Sequence, residues 1–288
     1  MEKRPTIVVQ LDEIHLAGSF IEFQLKMPRS YEIMSSLNAL PVSVQIKKYR
    51  RGIQGTVTNQ GMNLGEWIQH FSSFSIRIDV CFIMGHIKFD IQNLRATLPE
   101  QHRIDIIRSR AKPNERDILS AQNLLKAFLP NVRNVGLHRV PLQANLSLQH
   151  IGMANLKHLD LGYKRSPNLV DMCSWNVESC VIHILGYQIS LRDLNRFFKL
   201  WITRCNPKLK KLYIDWGAEI IPDWNVLLKG LKSIETEAEG DEEEDEDEDE
   251  EERGAKKYII KNVHGINAII KVMHLGGTIG VVKFSVEN

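Results

Sequence analysis

The chain has 288 residues, 25% of them charged and 43% hydrophobic, with a formal net charge of +2, a length that can bury a large core in one elongated domain or two. The N-terminal MEKRPTIVVQ has neither the apolar core nor the cleavage pattern of a signal peptide, and no apolar run approaches membrane-spanning length, so the expectation is a soluble protein of the cytoplasm and/or nucleus. The near-zero charge hides an asymmetry: Asp241 to Glu252 is an unbroken run of twelve carboxylates, and without it 23 acidic residues face 37 basic ones, a net of +14.

In chain order, Met1–Gln10 leads into alternating, strand-like sequence, and VSVQIKKYRR after Leu40-Pro41 alternates with period two, which predicts another strand. NLGEWIQHFSSF, from Asn63 to Phe74, reads as an amphipathic helix carrying Trp67. From Asn114, NERDILSAQNLLKAFL places Ile118, Ala121, Leu125 and Phe128 or Leu129 on one helical face, with Asn114 and Asp117 as a capping pair. Pro130 follows, two residues before Val132, Val135 and Leu137, which have the L-x-x-L-x-L spacing of leucine-rich repeats. Leu156, Leu159 and Leu161 repeat that spacing, and Val177, Cys180 and Ile182 repeat it again.

The stretch SLRDLNRFFKLWITRCNPKLKKLYIDW, from Ser190 to Trp216, writes a helix, a stop and a strand in one reading. Leu191, Leu194, Phe197, Phe198, Trp201, Ile202 and Cys205 recur every three or four residues, and Ser190 with Asp193 forms a capping-box start. Asn206-Pro207 ends the helix, because proline has no amide hydrogen and restricts the residue before it. Leu209, Leu212 and Ile214 then give the spacing a fourth time. The four starts lie 24, 21 and 32 residues apart, near the period of a strand-plus-helix repeat. Stacked units of that kind present an extended concave surface suited to recognising another protein.

Beyond these units lies the acidic run, which repels itself and predicts a disordered, solvated loop. It reads as a tolerated insertion, as a cover for a basic face, or as bait for a basic partner. The glycine-rich Gly276–Gly280, between MHL and VVKFSV, lacks the Lys-Ser/Thr of a phosphate cradle and reads as a hairpin turn.

Reactive constellations are sparse. The four cysteines, Cys81, Cys173, Cys180 and Cys205, have no C-x-x-C spacing, and no disulfide is expected. His158 and His183 fall in predicted strands beside Asp160, so a His/Asp pair on one sheet face is conceivable, but a base also needs a nucleophile placed by a turn. With no H-E-x-x-H, G-x-S-x-G or P-loop, no catalytic residue, metal site or cofactor is expected. Basic clusters occur at Lys47, Lys48, Arg50 and Arg51, at Arg204, Lys208, Lys210 and Lys211, and at Arg253, Lys256, Lys257 and Lys261. Such clusters are more often the solvated sides of strands than phosphate-backbone contacts. Trp67 and Trp201 read as core anchors; Trp175, Trp216 and Trp224, near strand ends, are the better candidates for contact residues.

The run LRDLNRFFKLWITRCNPKLKKLYI resembles the core of the nematode F-box-associated domain (type 2), in which a Trp-bearing helix is followed by a polar break, a Pro and an L-x-x-L-x-I strand. IVVQLDEIHLAGSFIEFQL and NLGEWIQHFSSF resemble its upstream flank, and YIIKNVHGINAIIKV, from Tyr258 to Val272, resembles its closing hairpin, with His264-Gly265 where Asp-Gly is frequent. Members of that family usually begin with an F-box, a helical segment that docks on the adaptor of a cullin-type ubiquitin ligase. No F-box is visible here: Leu40-Pro41 is followed by a strand pattern. The chain is therefore expected to be either a fragment of a longer product or a member that kept only the recognition end.

The fold expected is α/β, with leucine-rich-repeat-like strand-helix units forming a curved sheet. The expected parts are a β-rich N-terminal portion over 1–110 with a helix near 63–74, the repeat-like F-box-associated domain over 111–236, the acidic loop over 237–256 and a C-terminal β-hairpin over 257–288. The resemblance implies a non-catalytic protein-protein interaction module that recognises a protein substrate for an F-box-type (SCF) ubiquitin ligase, with the ligase adaptor as a further partner where an F-box is present. Two other readings are a stand-alone binding or decoy module, and a basic nucleic-acid or chromatin-associated protein with an autoinhibitory acidic loop. No membrane partner is expected, and contact residues stay unknown at this level.

Overall fold

The computed structural model describes residues 6–9, 13–17, 21–26, 38, 40, 43–48, 52–59, 61–74, 78–84, 91–97, 102–108, 112–142, 146–163, 168–184, 190–217, 221–236, 255–275 and 279–287. The acidic run 241–252, Arg50, Arg51, Arg253 and the glycines of the predicted turn at 276 and 277 lie outside them. The fold is mixed α/β, and the chain divides into two compact units, Met1–Gln143 and Ala144–Asn288.

In the first unit, β1 (Thr6–Val9), β2 (Glu13–Ala17), β3 (Ile21–Lys26), β4 (Ser43–Lys48) and β5 (Gly52–Thr58) form an antiparallel sheet in sequence order. The period-two pattern after Pro41 is thus a strand, β4. Helix α1 (Leu64–Phe74) opens with reciprocal bonds between Asn63 and Glu66, at 2.7 and 2.8 Å, which satisfy two donors at the helix start. Leu64 and Ile68 on it are buried; Trp67 is only half-buried and donates its indole N–H to Asn59 Oδ1 at 3.2 Å. The expectation of a core anchor at Trp67 is corrected accordingly: its polar edge stays within reach of a partner at the helix base.

Three parallel strands follow in this unit, β6 (Ile78–Ile83), β7 (His102–Ile107) and β8 (Asn134–His138), separated by α2 (Ile91–Thr97) and α3 (Glu115–Phe128). The Asn114/Asp117 capping box is present with both bonds, at 2.9 and 3.0 Å. Helix α3 buries Ala121, Leu124, Leu125 and Phe128, and the Phe128 ring lies 6.5 Å from that of Phe82 on β6. Gly136 on β8 is opposite Asp105 on β7, and a Cβ there would come within 1.8 Å of Asp105 Oδ1. The glycine leaves room for Asp105 to accept from Arg103 Nε at 2.8 and 2.9 Å.

In the second unit, β9 (Leu156–Tyr163), β10 (Val177–Ile184) and β11 (Lys211–Gly217) run parallel. The apolar spacing read from the sequence is in register across them: Leu156 pairs with Val177, Leu159 with Cys180 and Leu212, and Leu161 with Ile182 and Ile214. All eight of these side chains are at most 1% exposed. Short helical segments precede the strands: α4 (Leu148–Met153), a 3₁₀ turn (Asp171–Ser174) and α5 (Leu191–Ile202). On α5, Leu194, Phe197, Phe198 and Trp201 are buried, and the rings of Phe198 and Trp201 lie 5.4 and 5.0 Å from Phe284. Ser190 accepts from the Asp193 amide at 3.2 Å, the forward half of the predicted box.

The Asn206-Pro207 stop carries more than a break. Asn206 is 1% exposed and sits in the left-handed region at φ 44°. Its side chain donates to Met172 O (2.8 Å) and accepts from Leu209 N (3.1 Å), and its own amide donates to Cys173 O (3.0 Å). One residue thereby fixes the start of the last parallel strand to the preceding 3₁₀ turn. Asn195 similarly donates to Leu227 O and Lys229 O, tying α5 to the end of α6 (Trp224–Leu228).

The C-terminal strands β12 (Ile234–Thr236), β13 (Lys256–Lys261), β14 (Asn267–Leu275) and β15 (Ile279–Val286) are antiparallel neighbours, and β15 pairs along the whole of β11. Trp216 on β11 lies against Gly280, where a Cβ would come within 2.7 Å of its ring, and 6.1 Å from Trp224. Trp175 covers Gly152 in the same way and donates to Gln149 at 3.0 Å. Both tryptophans are at most 4% exposed. The expectation that they are contact residues is therefore corrected: a glycine opposite each ring draws it into the core, leaving Trp224 half-buried.

Replacing Trp201 with Ala should lower unfolding free energy by about 3–5 kcal/mol, measured by urea denaturation, since it vacates a buried site against Phe284. Gln122 on α3 is fully buried, and neither amide atom has a hydrogen-bond partner among the described residues. Gln122→Leu should raise stability by about 1–3 kcal/mol in the same assay, and a loss would show that the amide is needed.

Candidate functional site

Period-two alternation settles what the second unit offers to a ligand. With the leucine-type positions buried on one side of β9–β11, the residues between them occupy the other side. His158, Asp160, Ser179, Val181, His183, Lys211, Tyr213 and Asp215 all remain half-buried or exposed. Lys283 and Ser285 on β15, Lys271 on β14 and Lys257 on β13 continue the same side by register.

Two regions of unlike chemistry result. In the first, His183 Nδ1 lies 2.7 Å from Asp215 Oδ2 and its Nε2 lies 3.8 Å from Asp160 Oδ1. The bond to Asp215 raises the imidazole pKa above its ordinary value; burial works against this, and the charges of Asp215 and Asp160 add to the rise. In the second, one cross-strand row reads Lys257, Lys271, Lys283, Tyr213 over β13, β14, β15 and β11. The Lys283 ammonium stands 6.0 Å from the centre of the Tyr213 ring. A cavity of about 330 Å³ opens here, lined by Ser179, Val181, Lys211, Tyr213, Lys271, Lys283 and Ser285, with Cys180, Leu212 and Phe284 between them.

The His/Asp pair considered from sequence is thus realised with a different partner. His183 takes Asp215 first, while His158 Nδ1 lies 3.2 Å from Ser179 Oγ. Asp215 carries no motif of its own, although the recurring apolar spacing points to it: Gly162, His183 and Asp215 each follow the third apolar position of their strand, and His183 pairs with both of the others. Lys271 and Lys283 carried no motif at all. They join Lys211 and Lys257 only through antiparallel pairing of the C-terminal strands.

The geometry suits binding better than bond cleavage. Ser179 sits within a strand whose neighbours on both sides are hydrogen-bonded, away from any turn that would aim free amides at an oxyanion. Burial pushes the Cys180 and Cys205 thiols up, with Asp160 adding to the first and Cys173 to the second, so neither is an activated nucleophile. No group of three or more His, Cys, Asp or Glu among the described residues could hold a metal ion. Of the basic residues noted earlier, Lys210 lies 3.8 Å from Glu178, Lys256 lies 3.4 Å from Glu235, and Lys208 bonds Asn155.

Residues 147–214, which hold α4, β9, β10, α5 and most of β11, match the F-box associated family. The chain is also similar to the F-box associated domain-containing protein sdz-33 of Caenorhabditis elegans, at 24% identity over 186 residues. That alignment covers 63% of this chain and 55% of the relative, so the chain spans about half the length of the curated relative it matches. No solved structure matches it. Both matches agree with the resemblance to the nematode type 2 F-box associated domain read from the run Leu191–Ile214.

The His183–Asp215 pair has a pH signature. Because the folded pKa is raised, its contribution to stability is complete below about pH 6.5, the ordinary imidazole value, and is lost as pH rises through the folded value. NMR titration should place the His183 midpoint above that of a free imidazole, and Asp215→Asn should bring it down. An unchanged midpoint in the variant would show that Asp215 does not hold the proton.

Proposed function

We propose that the chain is a protein-interaction module of the F-box associated kind, and that the open side of β9, β10, β11 and β15 receives its protein partner. The observation that carries this reading is the concentration of polar side chains and a cavity on one side of strands whose other side is buried, with α5 packed there against Phe284. The in-register L-x-x-L-x-L strands, with a helical segment before each, favour a leucine-rich-repeat-like arrangement in which strand residues between the apolar ones make the contacts. In a ligase the module would supply substrate recognition, an F-box would supply docking to the adaptor, and other subunits would perform the chemistry. The same surface would serve a stand-alone binding module located inside the cell.

Val181, half-buried at the centre of the open side, provides the test. The tagged chain is used to capture proteins from its source cells, alongside a Val181→Arg variant. The expected outcome is a discrete set of proteins that the variant loses at unchanged melting temperature, with adaptor and cullin among them where the ligase role applies. Capture of the same set by both forms would place the interface elsewhere. Recovery of nucleic acid in place of protein would overturn the reading.

A further inference from the structure

We infer that a cavity at the C-terminal end of α5 takes a short segment of a partner protein, one that seats an apolar side chain beside an aspartate or glutamate whose carboxylate binds Arg204. This contact does not depend on the open side being the recognition surface. The cavity measures about 300 Å³ and lies where the residues after α5, the start of β11, the end of β15 and the turn between β13 and β14 meet. Its walls are fixed by the backbone. Helix α5 ends in a Schellman arrangement, with Arg204 N donating to Trp201 O at 2.8 Å and Cys205 N to Leu200 O at 2.9 Å. The β13–β14 turn is fastened to the same helix end, since Val263 N donates to Ile202 O at 3.0 Å.

Arg204 holds the position where such a helix ending favours glycine, because the backbone there is left-handed, at φ 82°. A side chain at this point costs stability that glycine would not. What the arginine adds is a positive charge at the cavity. Among the described residues its guanidinium has no ion pair or side-chain hydrogen bond, whereas Lys208 and Lys210 of the same cluster engage Asn155 and Glu178. Glu287, which follows the lining residue Val286, is not part of the lining. Asn262 and His264 add neutral donors: Asn262 Oδ1 already accepts from His264 N and Ile266 N, at 2.9 and 3.0 Å, which leaves its NH2 group for a ligand.

The remaining lining is apolar. Trp201 and Leu209 are at most 3% exposed, while Ile266 on the turn is 44% exposed and its neighbour Val263 64%. Uncovered apolar surface beside a guanidinium, whose fork takes a carboxylate in two parallel bonds, selects a segment in which an acidic residue adjoins an apolar one. One guanidinium among neutral donors matches the single charge of a carboxylate.

The test uses the full chain and immobilised, C-terminally amidated peptide libraries with a central Asp or Glu flanked by Leu, Ile, Phe or Met, beside matched libraries centred on Asn, Gln or phosphoserine. The expected result is retention of an acid-centred library at least about tenfold above its amide counterpart, a preference that Arg204→Gly abolishes with the melting temperature unchanged or raised. Arg204→Asn, a second neutral residue that tolerates the left-handed backbone, should act in the same way. Lys256→Gln, which removes a lysine that pairs with Glu235 and does not line the cavity, should have no effect. Equal retention of the amide libraries, stronger retention of the phosphoserine library, or acid preference that survives both Arg204 variants would each overturn the proposal. A dimer of the chain that Arg204→Gly dissociates would also overturn it, by making a second copy the occupant. If no acid-centred library is retained while Val181→Arg still abolishes cellular capture, the Arg204 site falls and the open-side reading stands.

Discussion

The rest of the second unit depends on the in-register stacking of apolar side chains across β9, β10 and β11. Leu159, Cys180 and Leu212 form one row, and Leu161, Ile182 and Ile214 the next. Because side chains alternate along a strand, a slip of one residue would carry every buried position to the open side. Three features prevent it: α5 seats Phe198 and Trp201 against Phe284, Asn206 bonds the 3₁₀ turn to the start of β11, and β15 pairs along all of β11. The polar side is therefore a consequence of how the apolar side is locked. The proposed binding surface thus has a geometry set by packing from behind.

That dependence explains what could be read directly from the residues. Helix α5, helix α3 with its Asn114/Asp117 box, and the four L-x-x-L-x-L strands are local patterns whose signals lie within a dozen residues each. The Asn206-Pro207 stop was legible as a break, but its role as a buried polar link was not, because Met172 and Cys173 lie 34 and 33 residues upstream. Trp175 and Trp216 look like contact residues until Gly152 and Gly280 are seen to lie against their rings. The pairing of β15 with β11 is likewise non-local.

The candidate site divides along the same line. Its parallel half follows the recurring apolar spacing, since Gly162, His183 and Asp215 each come just after the third apolar position of their strand and Asp160, Val181 and Tyr213 just before it. Its cationic half does not, because Lys271 and Lys283 reach the site through antiparallel strands outside the four read from that spacing. The match to the F-box associated family ends at residue 214, before both of those strands. The segment with the family likeness thus supplies the scaffold and the His/Asp cluster. The strands beyond it supply most of the positive charge, a division by which related chains could keep one framework and differ in what they bind.

The most direct test of this account is site-specific photo-crosslinking in the source cells, with a benzophenone side chain at position 181 on the open side or at position 192 on the exposed face of α5. The account predicts crosslinked partner protein from position 181 and none from position 192. Crosslinking from position 192 alone would mean that the helical side is the one that binds, and the central claim would be wrong.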